Sequence, residues 1–310
     1  MSGDRIRIGT RGSKLALWQA NHVKDQLETA HPGLTAEVVT ITTSGDRIQD
    51  RSLLEIGGKG AFVKEIEEAL LAEEVDIAVH SMKDVPVELP DGLHLPVVVR
   101  REDPRDAFLS SAYNHPREMP AGARIGSSSL RRKCQLMARF PELEVAEIRG
   151  NVDTRLRKMD EGQFDAIVLA AAGLKRLGWD GRITTLLDPE DSLPAMGQGT
   201  IGIECRQGDA VTEGRIAALE HGETAVRTRA EWALNQRMQG GCEVPMGGFA
   251  DLDGERLRLR GLVGEPDGSR LIEDEVNGAA DEAEALGVAL ADRLLAAGAA
   301  DILERARKDG

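Results

Sequence analysis

The 310-residue chain has little of several things, and each shortage excludes something. It holds only three cysteines, Cys134, Cys205 and Cys242. They are widely spaced and odd in number, which fits neither a disulfide framework nor a CxxC zinc pair. The six histidines form no HxH or HExxH cluster, so no structural or catalytic metal is expected. Aromatic residues make up 3%, too few for the stacking platforms of single-strand binders. The longest apolar run, near Ala166–Leu174, falls far short of the roughly 20 residues that a membrane span needs. Met1–Gly9 carries no apolar stretch of signal-peptide length. Positive charge is also in deficit, with Lys+Arg 39 against Asp+Glu 53 and a net charge of −14. That argues against a surface that is basic throughout and held on nucleic acid or anionic lipid. The expectation is a soluble, cytoplasmic protein with no nucleic-acid and no membrane partner. With 41% hydrophobic and 30% charged residues, the composition is that of an ordinary globular protein. The length is enough for about two domains.

Strand and helix signals alternate along the chain. Arg5–Gly9 reads as a short strand, and Thr10 to Ser13 open an amphipathic helix that Pro32 and Gly33 stop. Leu34–Thr43 is a β-branched strand. Ser44–Lys59 reads as a mobile loop before a helix over Ala61–Glu74. Asp76–His80 is an apolar strand, with Ser81–Pro86 as the turn after it. This alternation implies an α/β layer on a parallel sheet. A second set begins at Arg124, where Ile125-Gly126-Ser127-Ser128-Ser129 echoes Ile8-Gly9-Thr10-Arg11-Gly12-Ser13. Strands over Leu143–Ile148 and Asp165–Leu169 each precede a helix. The chain thus holds two similar α/β lobes. Thr200–Cys205 is a late strand, placed to return to the first lobe's sheet, which would make two lobes on a hinge with a cleft between them. The tail reads as a third domain, with three antiparallel strands turning at Asp253-Gly254 and Asp267-Gly268 and backed by an Ala-rich helix over Ala279–Ala297. The domains are expected at 1–99 with 200–218, at 100–199, and at 219–310.

Charge is uneven on this map. Arg124–Lys158 holds nine Lys/Arg against four Asp/Glu, whereas Glu220 to the end holds eleven against nineteen. A basic island in an acidic chain points to a local anionic ligand, although a solvated helix face has the same composition. Hydroxyl clusters at Thr10–Ser13 and Ser127–Ser129 sit where helices begin, with Arg11, Arg131 and Arg132 beside them. They read either as plain N-caps or as carboxylate or phosphate sites. Arg149, Arg155 and Arg176 fall near strand ends or helix starts, where open α/β sheets bind ligands. Gly197–Gly202 matches GxGxxG but precedes a strand, so it is not a dinucleotide fingerprint. Gly57-Gly58-Lys59-Gly60 lacks the Ser/Thr and the earlier Gly of a P-loop. Asp84, before Val85-Pro86, is ordinarily a turn residue. Cys242 lies beside glycines that would let a bulky group approach, whereas Cys134 and Cys205 read as buried thiols. No histidine is near Cys242 in sequence, so a Cys-His hydrolase has little support.

Taken together, these motifs resemble the porphobilinogen deaminase (hydroxymethylbilane synthase) family. The carriers are Ile8-Gly9-Thr10-Arg11 with Ser13 and Gln19, Gly57-Gly58-Lys59-Gly60 with Phe62, His80–Pro86, Arg101–Asp106, Gly126–Arg132, Arg149–Val152 with Arg155, Pro194 with Gly197-Gln198-Gly199, and Gly240-Gly241-Cys242 with Val244-Pro245. The match runs from about Arg5 to Gly264. The resemblance implies an α/β fold: two similar hinged lobes like type II periplasmic binding proteins, plus a small C-terminal α+β domain with a three-stranded antiparallel sheet. It also implies stepwise head-to-tail condensation of four porphobilinogens to hydroxymethylbilane, with release of four ammonia, in tetrapyrrole biosynthesis.

The resemblance further assigns roles. Cys242 would anchor a dipyrromethane cofactor by a thioether, with Lys83, Ser129, Arg131, Arg132, Gly150 and Arg155 around it. Arg11, Ser13, Gln19, Arg149, Arg155, Arg176 and Gln198 would hold substrate and the growing chain. Arginine suits the acetate and propionate of each pyrrole because its planar fork pairs with two oxygens. Asp84 would act as acid and base, protonating the leaving amine, stabilising the azafulvene cation and assisting loss of the ring proton. Lys59 and Phe62 would belong to a lid loop. No metal is implied, the enzyme would be a monomer, and its product would pass to uroporphyrinogen III synthase. Two rival readings compete with this one: a non-catalytic two-lobed anion-binding protein, and a transferase that uses Cys242 for turnover. The first leaves Asp84 and Cys242 without a shared purpose. The second predicts that the thioether does not persist through turnover.

Overall fold

Strand β1 (Arg5–Thr10) buries Ile6 and Ile8 completely, the alternating pattern of a strand with one face on a core. Helix α1 (Lys14–Ala30) starts at Ser13, whose Oγ accepts from the Ala16 amide at 3.3 Å, and it buries Ala20, Val23 and Leu27 on one face. Strand β2 (Thr35–Thr40) pairs with β1 in parallel. The computed structural model describes residues 4–47, 62–241 and 243–308. Of the expected 44–59 loop, Ser44–Arg47 form a single helical turn, α2, and the remainder lies outside the described residues. Ser44 donates its amide to Glu65 Oε1 at 2.8 Å. Helix α3 (Lys64–Leu71), strand β3 (Ile77–Ser81) and strand β4 (Leu93–Val98) follow.

The next stretch repeats the plan. Strand β5 (Asp106–Leu109) precedes β6 (Arg124–Gly126), α4 (Leu130–Arg139), β7 (Glu144–Ala146), α5 (Val152–Asp160), β8 (Ala166–Ala170), α6 (Ala171–Arg176) and the short β9 (Thr185–Leu186). Strand β10 (Ile201–Arg206) then joins the first sheet, followed by α7 (Ala210–Ile216) and α8 (Gly222–Arg237). Strands β11 (Met246–Asp253), β12 (Arg256–Gly264) and β13 (Leu271–Ala279) form an antiparallel sheet, with α9 (Ala283–Leu294) and α10 (Ala300–Lys308) after it.

The chain divides into two units, Met1–Glu102 with Thr200–Ala225, and Asp103–Gly199 with Val226–Gly310. The first holds the sheet β2-β1-β3-β10-β4, and the second holds β7-β6-β8-β5-β9 and β11-β12-β13. The first two sheets share one topology. In each, a parallel trio is extended by an antiparallel strand, β10 on β3 and β5 on β8. The sheets are therefore mixed and not wholly parallel as expected. The reason is directional, since β10 enters its sheet after the excursion through β5–β9 and runs back along β3. The glycine echo is also structural. A Cβ on Gly9 would lie 3.1 Å from Val75, and one on Gly126 would lie 3.1 Å from Ile167 and Phe164. At both positions the neighbouring side chains pack closely against the glycine, so a larger residue would have to push them aside.

Each sheet has its own core. Ile6, Ile8, Val23, Leu27, Ile77, Val79, Ile201 and Ile203 fill one face of the first, and Ile66, Leu70, Val75 and Ala78 the other. Ile148, Leu156, Ile167 and Leu174 lie on one face of the second sheet, with Phe108, Ile125, Leu136 and Val168 opposite. Leu257, Leu259, Val263, Leu290, Leu294 and Ile302 fill the third core. Sequence patterning misses β4, where Pro96 breaks the strand signal, and α10, which restarts after Gly298 at φ +102°. The described residues include no helix long and apolar enough to cross a membrane.

Candidate active site

In the first unit the site grows from two chain ends of neighbouring strands. After β1, Arg11 and Ser13 lead into α1, and after β3 a 3₁₀ turn carries Met82, Lys83 and Asp84. Three hydrogen bonds fix that turn. Gln19 Nε2 on α1 donates to Ser81 Oγ at 2.8 Å, the Met82 amide donates to the Thr200 carbonyl at 2.9 Å, and the Val85 amide closes onto Met82 at 3.2 Å. Arg11, Ser13, Gln19, Phe62, His80, Ser81 and Asp84 line one pocket. The Arg11 guanidinium lies 4.1 Å from the Phe62 ring centroid, a cation–π contact. Among the described residues lining this pocket, Asp84 is the one carboxylate. The pocket therefore offers a cation for carboxylates and a carboxylate for a cationic amine or pyrrole N–H. Ser13 also caps α1, so capping and a place in the pocket coexist in one side chain.

Behind the pocket lies a cluster that sequence reading missed. His80 Nε2 sits 2.9 Å from Glu204 Oε2, and His80, Glu204 and the nearby Glu67 are all buried. Burial first, and the charge of Glu204 second, push the Glu67 carboxyl up to about 7. The folded protein holds this proton more tightly than the unfolded chain, so the stabilising contribution is complete below the ordinary carboxyl range and is lost as pH rises toward 7. Glu67→Gln is therefore expected to be more stable than wild type by roughly 1–3 kcal/mol at about pH 8, with the difference vanishing near pH 4. Urea denaturation of both proteins at the two pH values checks this, and a pH-independent difference would contradict it.

In the second unit, Arg131 and Arg132 on the first turn of α4 converge on a carboxylate that the sequence does not single out as a site residue: Asp106, at the start of β5. Asp106 is wholly buried. Its Oδ2 accepts from Arg131 Nη1 at 2.8 Å and from Ser192 Oγ at 2.7 Å, and its Oδ1 accepts from Arg132 Nη2 at 2.7 Å and Gln198 Nε2 at 2.9 Å. Burial opposes charge here, but the two guanidiniums outweigh it and hold the carboxyl well below its usual range. Gln198 also donates to the Pro104 carbonyl at 2.7 Å, so it belongs to this frame. Ser129 caps α4, its Oγ accepting from the Arg132 amide at 3.4 Å.

Asp106 answers one of the two positive charges. Arg131 Nε is buried with no hydrogen-bond partner. Burial, and then the charge of Arg132, lower the Arg155 guanidinium from its ordinary value to about 10, with Glu147 only partly offsetting them. Arg155 Nε donates to the Gly150 carbonyl at 2.7 Å. Gly150 has φ +112°, and a Cβ there would fall 2.7 Å from Thr154, so the turn into α5 requires glycine. The remaining expected cations are engaged nearby. Arg149 Nε donates to Glu147 at 2.8 Å, and the buried Arg176 donates to the Gly199 carbonyl at 2.7 Å. Surplus, partly desolvated positive charge of this kind fits a group bearing carboxylates.

Asp103 is a second missed residue. Burial would raise its pKa, but hydrogen bonds from Arg105 and Lys175 (3.0 Å from Nζ) hold it well below the usual range. Cys134 and Cys205 are buried as expected, and burial pushes both thiols up to about 12. Cys242 and Lys59 lie outside the described residues. Beside Cys242, a Cβ on Gly240 would collide with Asn235 Oδ1 and one on Gly241 with Glu243.

Similarity to known proteins bears on both units. The family model described as "Porphobilinogen deaminase, dipyromethane cofactor binding domain" matches residues 6–214, and "Porphobilinogen deaminase, C-terminal domain" matches residues 225–296. Among solved structures, a methionine-binding protein is similar at 14% identity and TM-score 0.44, over 71% of this chain and 92% of that one. A probable amino-acid ABC transporter extracellular-binding protein from Bacillus subtilis is similar at 10% identity and TM-score 0.41, over 70% and 91%. A Salmonella typhimurium periplasmic binding protein of high arginine specificity is similar at 12% identity and TM-score 0.40, over 70% and 92%. The two family models together cover nearly the whole chain, in the order in which the three sheets were built: the chain belongs to the porphobilinogen deaminase family.

Proposed function

We propose that this chain is a hydroxymethylbilane synthase: a transferase of tetrapyrrole synthesis that joins four porphobilinogens head to tail and releases four ammonia. The observation that carries the residue assignments is the first-unit pocket, which pairs the Arg11 cation with the Asp84 carboxylate. Porphobilinogen carries two carboxylates and an aminomethyl group, so it needs both. A dipyrromethane, when bound, would supply the free pyrrole carbon to which the first unit is added, each later unit adding to the one before it. In this reading Cys242 anchors it through a thioether, beside glycines that admit the bulky group.

The chain's own residues do the rest. Arg131, Arg132, Arg155, Lys83, Ser129 and the Gly150 turn receive the cofactor's carboxylates. The residual charge of the Arg131–Asp106–Arg132 frame and the depressed Arg155 support that assignment. Arg11, Ser13, Gln19, Arg149, Arg176 and Gln198 position the incoming substrate and the chain, with Gln198 acting through its bond to Asp106. Asp84 gives a proton to the departing amine and takes the ring proton once the new bond has formed. Its fixed 3₁₀ turn keeps one carboxylate within reach of both proton-transfer steps. Lys59 and Phe62 would close over the pocket. The enzyme acts as a monomer in the cytoplasm, and its product passes to uroporphyrinogen III synthase.

Incubation with porphobilinogen tests this reading. Four ammonia per hydroxymethylbilane are expected, and binding without ammonia release would favour the non-catalytic anion-binding alternative.

A further inference from the structure

A second cluster of metal-binding residue types lies in the first unit and takes no part in the chemistry above. His94 on β4 stands directly opposite Cys205 on β10, just past a register shift between Ile203 and Cys205. Glu213 on α7 reaches the same point. Cys205 Sγ is 3.3 Å from His94 Nε2, and Glu213 Oε1 is 3.0 Å from the same nitrogen. The three ligand atoms all lie within 4.8 Å of one another. Spacing arguments on the sequence could not find this set, because positions 94, 205 and 213 meet only through an antiparallel strand pair and the helix that follows it.

Hydrogen bonding serves this trio poorly, since an Nε2–H given to Glu213 leaves the sulfur only a weak, shared acceptor role. A ring nitrogen carries either a proton or a lone pair. If Nε2 donates to Glu213, it has no lone pair to accept the Cys205 S–H. If it accepts from the thiol, it points that lone pair at a carboxylate. A cation takes lone pairs from all three atoms at once. The distances also suit one. Zinc bonds of about 2.3 Å to sulfur and about 2.0–2.1 Å to nitrogen and oxygen, at tetrahedral angles, separate S from N by about 3.5 Å and N from O by about 3.3 Å. The two separations from Nε2 differ from these by a few tenths of an ångström, within the reach of side-chain adjustment. The Gly208 amide donates to the same Glu213 Oε1 at 2.9 Å and helps to fix the carboxylate's position. Arg206, next to Cys205, is committed elsewhere: its Nη2 lies 3.1 Å from Asp209 and 3.6 Å from Asp76.

We infer that His94, Cys205 and Glu213 form a site for a borderline divalent cation of the zinc class, with a fourth position open to water. His94 and Glu213 side chains are about one-third exposed, which leaves an entry path, while Cys205 is fully buried. Binding would release the thiol proton to solvent and tie β4, β10 and α7 together. The effect is structural, a clamp on the first lobe, and does not depend on the reading of the active site.

Cobalt(II) is a spectroscopic probe for the site. Holoenzyme freed of metal with a chelator should bind one Co²⁺ per chain and show a near-ultraviolet thiolate-to-cobalt charge-transfer band. Zn²⁺ should displace it and raise the unfolding temperature. Cys205→Ser should remove the band. Because Cys205 is in the core, Glu213→Gln, a partly exposed change, serves as the second variant and should weaken binding by about tenfold or more. Failure of the wild type to take up Co²⁺ stoichiometrically, or a band that persists in Cys205→Ser, would overturn the proposal. So would Glu213→Gln binding as tightly as wild type. The readouts are spectra and melting temperatures, so none of these outcomes bears on turnover.

Discussion

Asp84→Ala is expected to lower kcat by about a thousandfold or more while leaving the unfolding midpoint unchanged. The side chain ends a 3₁₀ turn that backbone and Gln19–Ser81 hydrogen bonds already define, so its removal breaks no structural contact described for that turn. The chemistry, by contrast, loses its proton carrier, since among the described residues lining the pocket no other carboxylate is present to take over. His80 also lines the pocket, but its Nε2 is engaged with Glu204 at 2.9 Å. Asp84→Glu, which retains a carboxylate but displaces it by a methylene, should keep part of the activity. Rates of ammonia release under saturating porphobilinogen, with urea denaturation of the same samples, measure both quantities. Near-wild-type turnover by Asp84→Ala would move the proton transfers to another group.

Arg132→Leu is expected to destabilise the second unit by about 1–3 kcal/mol at neutral pH, because it removes the hydrogen bonds that Arg132 gives to the buried Asp106 carboxylate and to the Val168 carbonyl, while Arg131 still pairs with Asp106. Asp106 has a folded-state pKa below its unfolded value, so its contribution is present above about pH 4 and lost as pH falls from there. The gap between wild type and variant should accordingly narrow on acidification. Removing the carboxylate as well, in Asp106→Leu with Arg132→Leu, should deepen the loss, since Arg131 is then buried without its partner. Equal denaturation midpoints for wild type and Arg132→Leu would show that the buried pair does not hold this unit. The same variant should also load cofactor poorly. The stability measurement therefore has to accompany any cofactor assay, to separate a folding defect from a lost carboxylate contact.

Asp106 marks the limit of what local sequence patterns reveal. Arg131 and Arg132 stand out because basic residues cluster after a Gly-Ser helix start, and the structure places both on α4 as expected. Their partner is on a distant four-residue strand whose other members are apolar, and nothing in that spacing predicts an ion pair. The same holds for Glu204, which reads as one residue of an apolar strand until β10 pairs with β3 and brings it to His80. Features governed by local rules are legible: the N-caps at Ser13 and Ser129, the glycines leaving β1 and β6, and the three tail strands with Gly254 and Gly268 at their turns, both at positive φ. Features that depend on which strands become neighbours are not, including the mixed sheets and the His94–Cys205 pair. The late strand β10 falls between these cases. Its position after the second lobe suggests a return to the first sheet, but its antiparallel register emerges only from the structure.

In the proposed enzyme, Cys242 carries a cofactor of two linked pyrroles. Intact-protein mass followed by peptide mapping, before and after incubation with porphobilinogen, tests this attachment most directly. A mass excess equal to two pyrrole units is expected on the peptide containing Cys242, present at the outset or acquired on incubation, and retained through turnover. A chain that stays unmodified in porphobilinogen, or an adduct that maps to Cys134 or Cys205, would contradict it.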